Sequence, residues 1–189
     1  MATRLEARAA RRRLRDADVI EVGIACKRGI PRWDGVAVVV GLCGAMDRLT
    51  PGTIAIPRSV SMPDGDPLDC DQTMVDRLVA GARSLGLLSE TRPMLTSPTL
   101  VTGQDRQRWA DMGFSTADME AGLILQRGPA AVVRVVLDTP DHELSTDWGH
   151  VTPATFSPTR WPELLWLART APGAAELAAE VVRAGLSSR

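Results

Sequence analysis

The sequence predicts an α/β fold in which helices flank a mixed, mostly parallel β-sheet. Short apolar runs rich in β-branched residues, such as VAVVV at 36–40 and AVVRVVL at 131–137, are typical of strands covered on both faces. Segments with apolar residues at helical spacing, such as 70–88, lie between such runs. Strands that interleave with helices indicate a parallel sheet. The 189 residues show no internal repeat or linker, so we expect one domain spanning 1–189.

The first elements follow from local composition. Arginine and alanine are good helix formers and predict a helix over 4–15. VIEVGIAC at 19–26 is interpreted as a strand, and so is the β-branched run at 36–40. TIAIP at 53–57 alternates like a further strand and ends at Pro57.

The second half of the chain continues the alternation of helices and strands. Asp71 is a plausible cap for the helix predicted at 70–88. Further elements are predicted from the same patterns: a short strand at 98–102, a helix at 103–110, a helix at 117–126, a buried strand at 131–137 and two helices in the tail, WPELLWLART and GAAELAAEVVRAGL. Asp118, near the start of the helix at 117–126, has the residue type of an N-cap.

Bulk properties narrow the classes of function. The formal net charge of −1 gives no global attraction to nucleic acid or anionic lipid. Six arginines within the first fifteen residues could form a nucleic-acid arm, but no aromatic residues interleave them, so a solvated helix face is the plainer interpretation. Three scattered cysteines and two histidines disfavour a disulfide framework or a metal centre and fit a reducing cytoplasm. No apolar run approaches membrane-spanning length.

Groups that could contact a ligand follow two of the predicted strands. Gly41 and Gly44 come directly after the strand at 36–40, where glycines would let backbone amides approach a ligand. Asp138 comes directly after the strand at 131–137. Ligands of such folds bind at the carboxyl ends of the strands, so these residues are site candidates. Each also fits an ordinary turn, since TPD follows Asp138.

Four segments stand in an order that resembles a known superfamily. They are MATRLEARAARRRL at the start, VVVGLCGAMDRLTPGTIAIP at 38–57, STADMEAG at 115–122 and VVRVVLDTPD at 132–141. In that order they resemble the first helix, the glycine turn, the ribose-binding segment and the final strand end of the purine nucleoside phosphorylase and nucleosidase superfamily. The middle of the chain and the tail WPELLWLARTAPGAAEL look closest to its hopanoid-associated phosphorylase branch, with the adenosyl-nucleosidases as next relatives.

The resemblance implies a three-layer α/β/α fold and a set of site residues. Glu120 would accept hydrogen bonds from ribose hydroxyls, and Met119 would pack against the sugar. Asp138 would protonate N7 of the leaving purine, which requires a pKa above the ordinary value for an aspartate. Glu6 would position and deprotonate a water molecule. Four residues of the glycine turn would complete the substrate site: Gly41, Leu42, Cys43 and Gly44.

The second reactant would be water or phosphate. Val39 and Leu42 stand where typical phosphorylases carry phosphate ligands, and neither offers a side-chain donor. We therefore favour hydrolysis of an adenosyl-type purine nucleoside without a cofactor. The alternatives are phosphorolysis, with phosphate as co-substrate in hopanoid side-chain metabolism, and a degenerate relative that only binds a nucleoside.

The chain also departs from the pattern of the superfamily. The family's first strand precedes the helix with the glutamate, whereas only MAT precedes RLEARA here, so we expect a truncated N-terminal strand. Leu137 replaces the common serine before the catalytic aspartate. The resemblance implies a homodimer and a purine nucleoside as small-molecule partner, while the charge and the apolar pattern predict neither nucleic acid nor a membrane span.

Overall fold

A mixed β-sheet forms the centre of the molecule; the structure, a computed structural model, describes residues 3–144 and 161–187. Its eight strands are β1 (Ala37–Ala45), β2 (Ile54–Ala55), β3 (Ser59–Ser61), β4 (Leu68–Asp69), β5 (Ser89–Glu90), β6 (Met94–Thr96), β7 (Thr116–Asp118) and β8 (Ala130–Asp138). They lie in the order β4-β3-β6-β7-β1-β8-β2-β5. Within the described residues, four of the seven strand pairings are parallel, which confirms the predicted mixed and mostly parallel sheet.

Helices flank this sheet and complete the predicted three-layer α/β fold. In the described part of the chain they are α1 (Arg4–Arg13), α2 (Gln72–Ser84), α3 (Gly103–Asp111), α4 (Ala121–Leu125) and α5 (Trp161–Ser187). α2 and α5 pack against each other and against β8, while α1 packs against α5. Asp71 caps α2 as predicted, because its side chain accepts a hydrogen bond from Met74 N at 2.8 Å.

The two long strands β1 and β8 form the core of the sheet. All nine residues of β8 are buried, as its unbroken valine-rich sequence predicts for a strand with cover on both faces. β1 runs parallel to β8 from the pair Ala37–Ala130 onward, and the register shifts between Cys43 and Gly44. The shift places Gly44 opposite Asp138, so both strands deliver their last residues to the same edge of the sheet.

The predicted glycine turn is wrong as a structural element. The residues that follow 36–40 do not leave the sheet but continue β1 to Ala45. They stay extended because β8 runs alongside them, with Gly41 paired to Arg134 and Leu42 to Val135. The glycines therefore serve a strand, where they leave space for neighbouring side chains, and not a turn.

The strand predicted at 19–26 is also wrong. This segment is irregular and ends in a 3₁₀ turn, Ile24–Cys26. Ala25 and Cys26 have φ values of 51° and 55°, a left-handed conformation that ends extended structure and that costs roughly 1–2 kcal/mol per non-glycine residue. The apolar pattern of the segment instead reflects packing of Val22 and Cys26 on the core.

The strand predicted at 98–102 is wrong in position, because the observed strand ends before residue 98. The observed strand is β6. Directly after it, Ser97 N donates a backbone hydrogen bond to Asp118 O of β7 at 2.9 Å. Pro98 follows and has no backbone N–H with which to continue a ladder. The helix at 103–110 is confirmed as α3.

The helices at 117–126 and in the tail differ from prediction in their bounds. Residues up to Asp118 belong to β7, and α4 begins only at Ala121, whose N–H donates to the carboxylate of Asp118. The tail forms one helix, α5, with Pro172 inside it, where the sequence predicts a break. α1 ends two residues earlier than predicted, at Arg13.

In the described residues, no helix combines the length and hydrophobicity needed to cross a bilayer.

Candidate active site

A cavity of about 230 Å³ lies where β1 and β8 end. Residues from the start of the chain, from β7 and the link to α4, from α3 and from α5 close its other sides. The residues predicted for the site that line it are Glu6, Leu42, Cys43, Gly44, Met119, Glu120 and Asp138. Gly41 alone among the predicted residues does not line the cavity, and its role is steric.

The glycines of β1 make room for charged side chains. A β-carbon added at Gly41 would collide with Arg134 Nη1 and would lie 2.5 Å from Glu6 Oε1. A β-carbon at Gly44 would lie 2.9 Å from Asp138 Oδ2. Real β-carbons essentially never approach so closely, so each glycine is required for the carboxylate beside it to occupy its position.

Glu6 is held by the start of its own helix and by β1. Thr3 caps α1, and its N–H and hydroxyl donate to Glu6 Oε2 at 2.7 and 3.0 Å. The Thr3 hydroxyl also accepts from Glu6 N, which completes a capping box. Leu42 N donates to Glu6 Oε1 at 3.1 Å. A carboxylate oxygen accepts about two bonds, so Oε1 keeps one position for a further donor while Oε2 is filled.

Glu120 belongs to a buried network with Arg134 at its centre. Arg134, on β8, is almost completely buried and donates from Nη2 to Glu120 Oε2 at 3.1 Å. The same guanidinium pairs with Asp118, with Nε 3.0 Å from Oδ2. Ala25 N, in the 3₁₀ turn, donates to Glu120 Oε1 at 2.8 Å. Each oxygen of Glu120 therefore keeps one acceptor position, which suits two adjacent hydroxyl groups.

Burial and neighbouring charges shift the pKa values in this network. Desolvation raises the pKa of Glu120, against the attraction of Arg134 and together with repulsion from Asp118. Desolvation alone would lower the pKa of Arg134, but the charges of Asp118, Glu120 and Glu6 outweigh it and raise the pKa. The guanidinium therefore stays protonated and partly neutralises the carboxylates around it.

Asp138 lies in a second buried ion pair, with Arg106 of α3. Arg106 Nη2 donates to Asp138 Oδ2 at 2.6 Å, and Leu144 N donates to Oδ1 at 2.9 Å. Burial raises the pKa of Asp138, while Arg106 and the Leu144 N–H act in the opposite direction. The direction agrees with the requirement that a general acid keep its proton closer to neutral pH than an ordinary aspartate does.

The arrangement brings the three carboxyl groups that the sequence predicts for the site into one cavity, each in a different environment. The hydrogen-bond donors to Glu6 are neutral, with the charge of Arg134 nearby. Glu120 accepts from Arg134 and lies beside a second acid, and Asp138 accepts from an arginine and a backbone amide. Burial raises the pKa of both Glu120 and Asp138. Such a set can activate a water molecule, bind a diol and protonate a leaving group.

The two arginines are not among the site residues predicted from the sequence. Arg134 carried a signal, because an arginine inside a run of valines on a buried strand must find buried acids. Arg134 finds these acids in Asp118 and Glu120. Arg106 carried no signal, since it lies in the polar segment GQDRQRWAD, whose other residues are mostly exposed.

Two other features bear on ligand binding. A larger cavity of about 630 Å³ lies beside the first half of β1, among mainly apolar side chains. Its lining includes none of the predicted site residues. Across 3–144 and 161–187, no cluster of three or more acidic, histidine or cysteine side chains is arranged to hold a metal ion.

Comparisons with known proteins place the fold. No protein-family model and no curated protein sequence matches the chain. A solved structure from Francisella philomiragia, named as a 5′-methylthioadenosine/S-adenosylhomocysteine nucleosidase, matches with a TM-score of 0.72 and 13% identity, over 100% of this chain and 96% of its own.

Two further structures match over a smaller share of their own length. The 5′-methylthioadenosine/S-adenosylhomocysteine nucleosidase of Neisseria meningitidis, in complex with methylthio-immucillin-A, has a TM-score of 0.61 and 16% identity, over 80% of this chain and 69% of that one. The futalosine hydrolase of Helicobacter pylori has a TM-score of 0.61 and 10% identity, over 80% and 67%. The chain therefore has the fold that these nucleosidases and this hydrolase share.

Proposed function

We propose that the chain is a hydrolase that cleaves the N-glycosidic bond of a purine nucleoside. The observation that carries the proposal is the meeting of Glu6, Glu120 and Asp138 around one cavity at the ends of β1 and β8. The fold shared with nucleosidases supports the same reaction class, although function depends on the site and not on the fold.

The chemistry assigns one task to each carboxyl group. Breaking the bond between C1′ and N9 leaves an oxocarbenium-like sugar and a purine that is a poor leaving group as an anion. Asp138 gives its proton to N7 of the purine, and Glu6 takes a proton from the water that attacks C1′. Glu120 accepts from the two ribose hydroxyls, and charge-assisted bonds of this kind are roughly twice as strong as neutral ones.

The charge of the cavity favours water over phosphate as the second reactant. Of the described residues that line it, Arg106 alone is cationic, and it is already paired with Asp138 and Glu143. Four lining residues carry carboxyl groups: Glu6, Asp118, Glu120 and Asp138. Arg134, behind this lining, pairs with Asp118 and Glu120 and is not available to a phosphate dianion either. The backbone N–H of Leu42 already serves Glu6, so the described lining offers phosphate few free donors.

The test is release of free base, measured by chromatography with and without phosphate. Suitable substrates are methylthioadenosine, adenosylhomocysteine, adenosine and futalosine. We expect base release without phosphate and no acceleration when phosphate is added. Release that requires phosphate would establish phosphorolysis, the alternative predicted from the resemblance to the hopanoid-associated branch. No release from any substrate would leave a nucleoside-binding protein, recognisable by ligand-induced thermal stabilisation without product.

Two substitutions separate the roles. Asp138→Asn removes the acid and should reduce kcat by about 10²- to 10⁴-fold, the usual contribution of a positioned acid or base. Glu120→Gln keeps the shape of the side chain but removes its negative charge. The hydrogen bonds to the ribose hydroxyls should become weaker, and the nucleoside should bind less tightly.

A homodimer and a cytoplasmic location remain predictions of the sequence, to be tested by sedimentation and by fractionation.

A further inference from the structure

We propose that Arg106 is a positioning residue for Asp138 and that it sets the pH range over which Asp138 can act as the acid. The inference rests on the proposed function for its kinetic consequence, but its structural content stands on the contacts of the guanidinium alone. Nothing in the sequence pattern of α3 singles out this arginine.

The guanidinium of Arg106 links the ends of the two central strands. It is buried, it donates from Nη1 to Ala45 O at the end of β1, and it donates from Nη2 to Asp138 Oδ2 at the end of β8. A planar group fixed at two points by strand ends has little freedom, so it fixes the orientation of the carboxylate as well. Leu137, the neighbour of Asp138 on β8, carries no hydrogen-bonding side chain, so the side-chain contact that orients the carboxylate comes from another element.

A second acid balances the arginine. Glu143, in the loop after β8, has Oε1 3.0 Å from Arg106 Nε, without the alignment of a hydrogen bond. The same oxygen accepts from Gly103 N at the start of α3 at 2.9 Å. The groups that face Asp138 are therefore Arg106 from α3, Glu143 and the Leu144 N–H from the loop, and the buried thiol of Cys43 from β1.

These neighbours act on Asp138 in opposite directions. Arg106 favours the carboxylate and lowers the pKa of Asp138, whereas Glu143 raises it. In the proposed reaction the Oδ–H bond of Asp138 breaks as its proton moves to N7, and the electron pair of the C1′–N9 bond passes to the purine. Asp138 becomes an anion in this step, so Arg106 stabilises the product of proton transfer while it reduces the fraction of protonated enzyme.

The pH profile of kcat/KM therefore separates a positioning role from a purely structural one. In Arg106→Gln the basic limb should move to higher pH by about one to three pH units. The limiting kcat should fall roughly tenfold, because Asp138 becomes a weaker acid. Glu143→Gln should move the limb in the opposite direction. Arg106→Lys keeps the charge but loses the planar group. Its basic limb should therefore lie between those of Arg106→Gln and the wild type.

A matched control and a direct readout complete the experiment. Arg108→Gln changes an exposed arginine on the same helix, which contacts the ring of Trp109, and should leave the limb in place. Titration of ¹³C-labelled aspartate carboxyl groups by NMR, with Asp138→Asn for assignment, follows Asp138 without any substrate. If its titration stays in place in Arg106→Gln and Arg106→Lys, the proposal is wrong. If it moves but no nucleoside is cleaved by the wild type, the proposed function fails and the positioning role of Arg106 stands.

Discussion

At the scale of single residues, Gly41 separates two charged groups that a side chain of its own would displace. We expect Gly41→Ala to destabilise the fold by about 1–3 kcal/mol, since overpacking a buried site costs that much, and to reduce activity because Glu6 and Arg134 must move. Urea unfolding and base release would measure the two effects.

A matched glycine controls for the loss of backbone freedom. Gly65 has an ordinary backbone conformation, and a β-carbon there would lie 3.8 Å from Met62 Cβ, a normal contact. Gly65→Ala should therefore change stability by less than about 1 kcal/mol. Equal losses in both variants would show that space at Gly41 is not the cause.

Glu120 links stability to pH. Burial raises the pKa of this carboxyl group above its ordinary value of 4.5, so the folded protein binds the proton more tightly than the unfolded chain. Its contribution to stability is present at low pH and is lost as pH rises from 4.5 through the raised folded-state pKa. Measured by urea unfolding, the wild type should lose stability relative to Glu120→Gln across this interval. A gain across the interval would contradict the raised pKa.

At the scale of elements, α1 begins with a capping box whose glutamate is also the proposed base. Thr3→Ala should cost about 1 kcal/mol of unfolding free energy for the lost cap. It should also lower kcat, because Glu6 Oε2 loses the hydroxyl that donates to it at 3.0 Å. Thr3→Ser keeps the hydroxyl and should preserve both properties. If Thr3→Ala lost stability with unchanged kcat, the cap and the catalytic role of Glu6 would be independent.

The close crossing of α2 and α5 shows a second use of glycine, in packing. A β-carbon on Gly81 would overlap the backbone nitrogen of Gly185, and one on Gly185 would lie 3.0 Å from Arg77 O. The helices therefore approach to backbone contact. α1 packs on α5 in turn, so this crossing also supports the helix that carries Glu6.

At the scale of the whole molecule, the sequence predicts the layers better than the connections. β-branched runs identified β1 and β8 because burial on both faces leaves a local trace. The segment 19–26 has a similar composition but lies outside the sheet, since its strand-like pattern does not encode the left-handed residues Ala25 and Cys26. The two ion pairs of the site could not be predicted as pairs, because Arg106 and Asp138 are far apart in sequence and meet only through the fold.

The irregular connection before β1 differs from the sheet in how its backbone is held. Residues 30–36 are mostly exposed and belong to no helix or strand, although Trp33 Nε1 donates to Pro129 O at 3.2 Å. In β8, by contrast, every residue is buried and both neighbouring strands pair with it. Stability should therefore be distributed unevenly over the molecule.

Native-state hydrogen exchange measures this distribution directly. The amides of β8 should exchange only through global unfolding, so their opening free energies should equal that from urea unfolding and should fall with urea at the same slope. The amides of 32–36 should exchange through local fluctuations, with opening free energies at least about 3 kcal/mol lower and nearly independent of urea. A connection that remained closed until global unfolding would show equal protection in both segments. That result would mean that 30–36 is part of the cooperative core, although most of its residues are exposed.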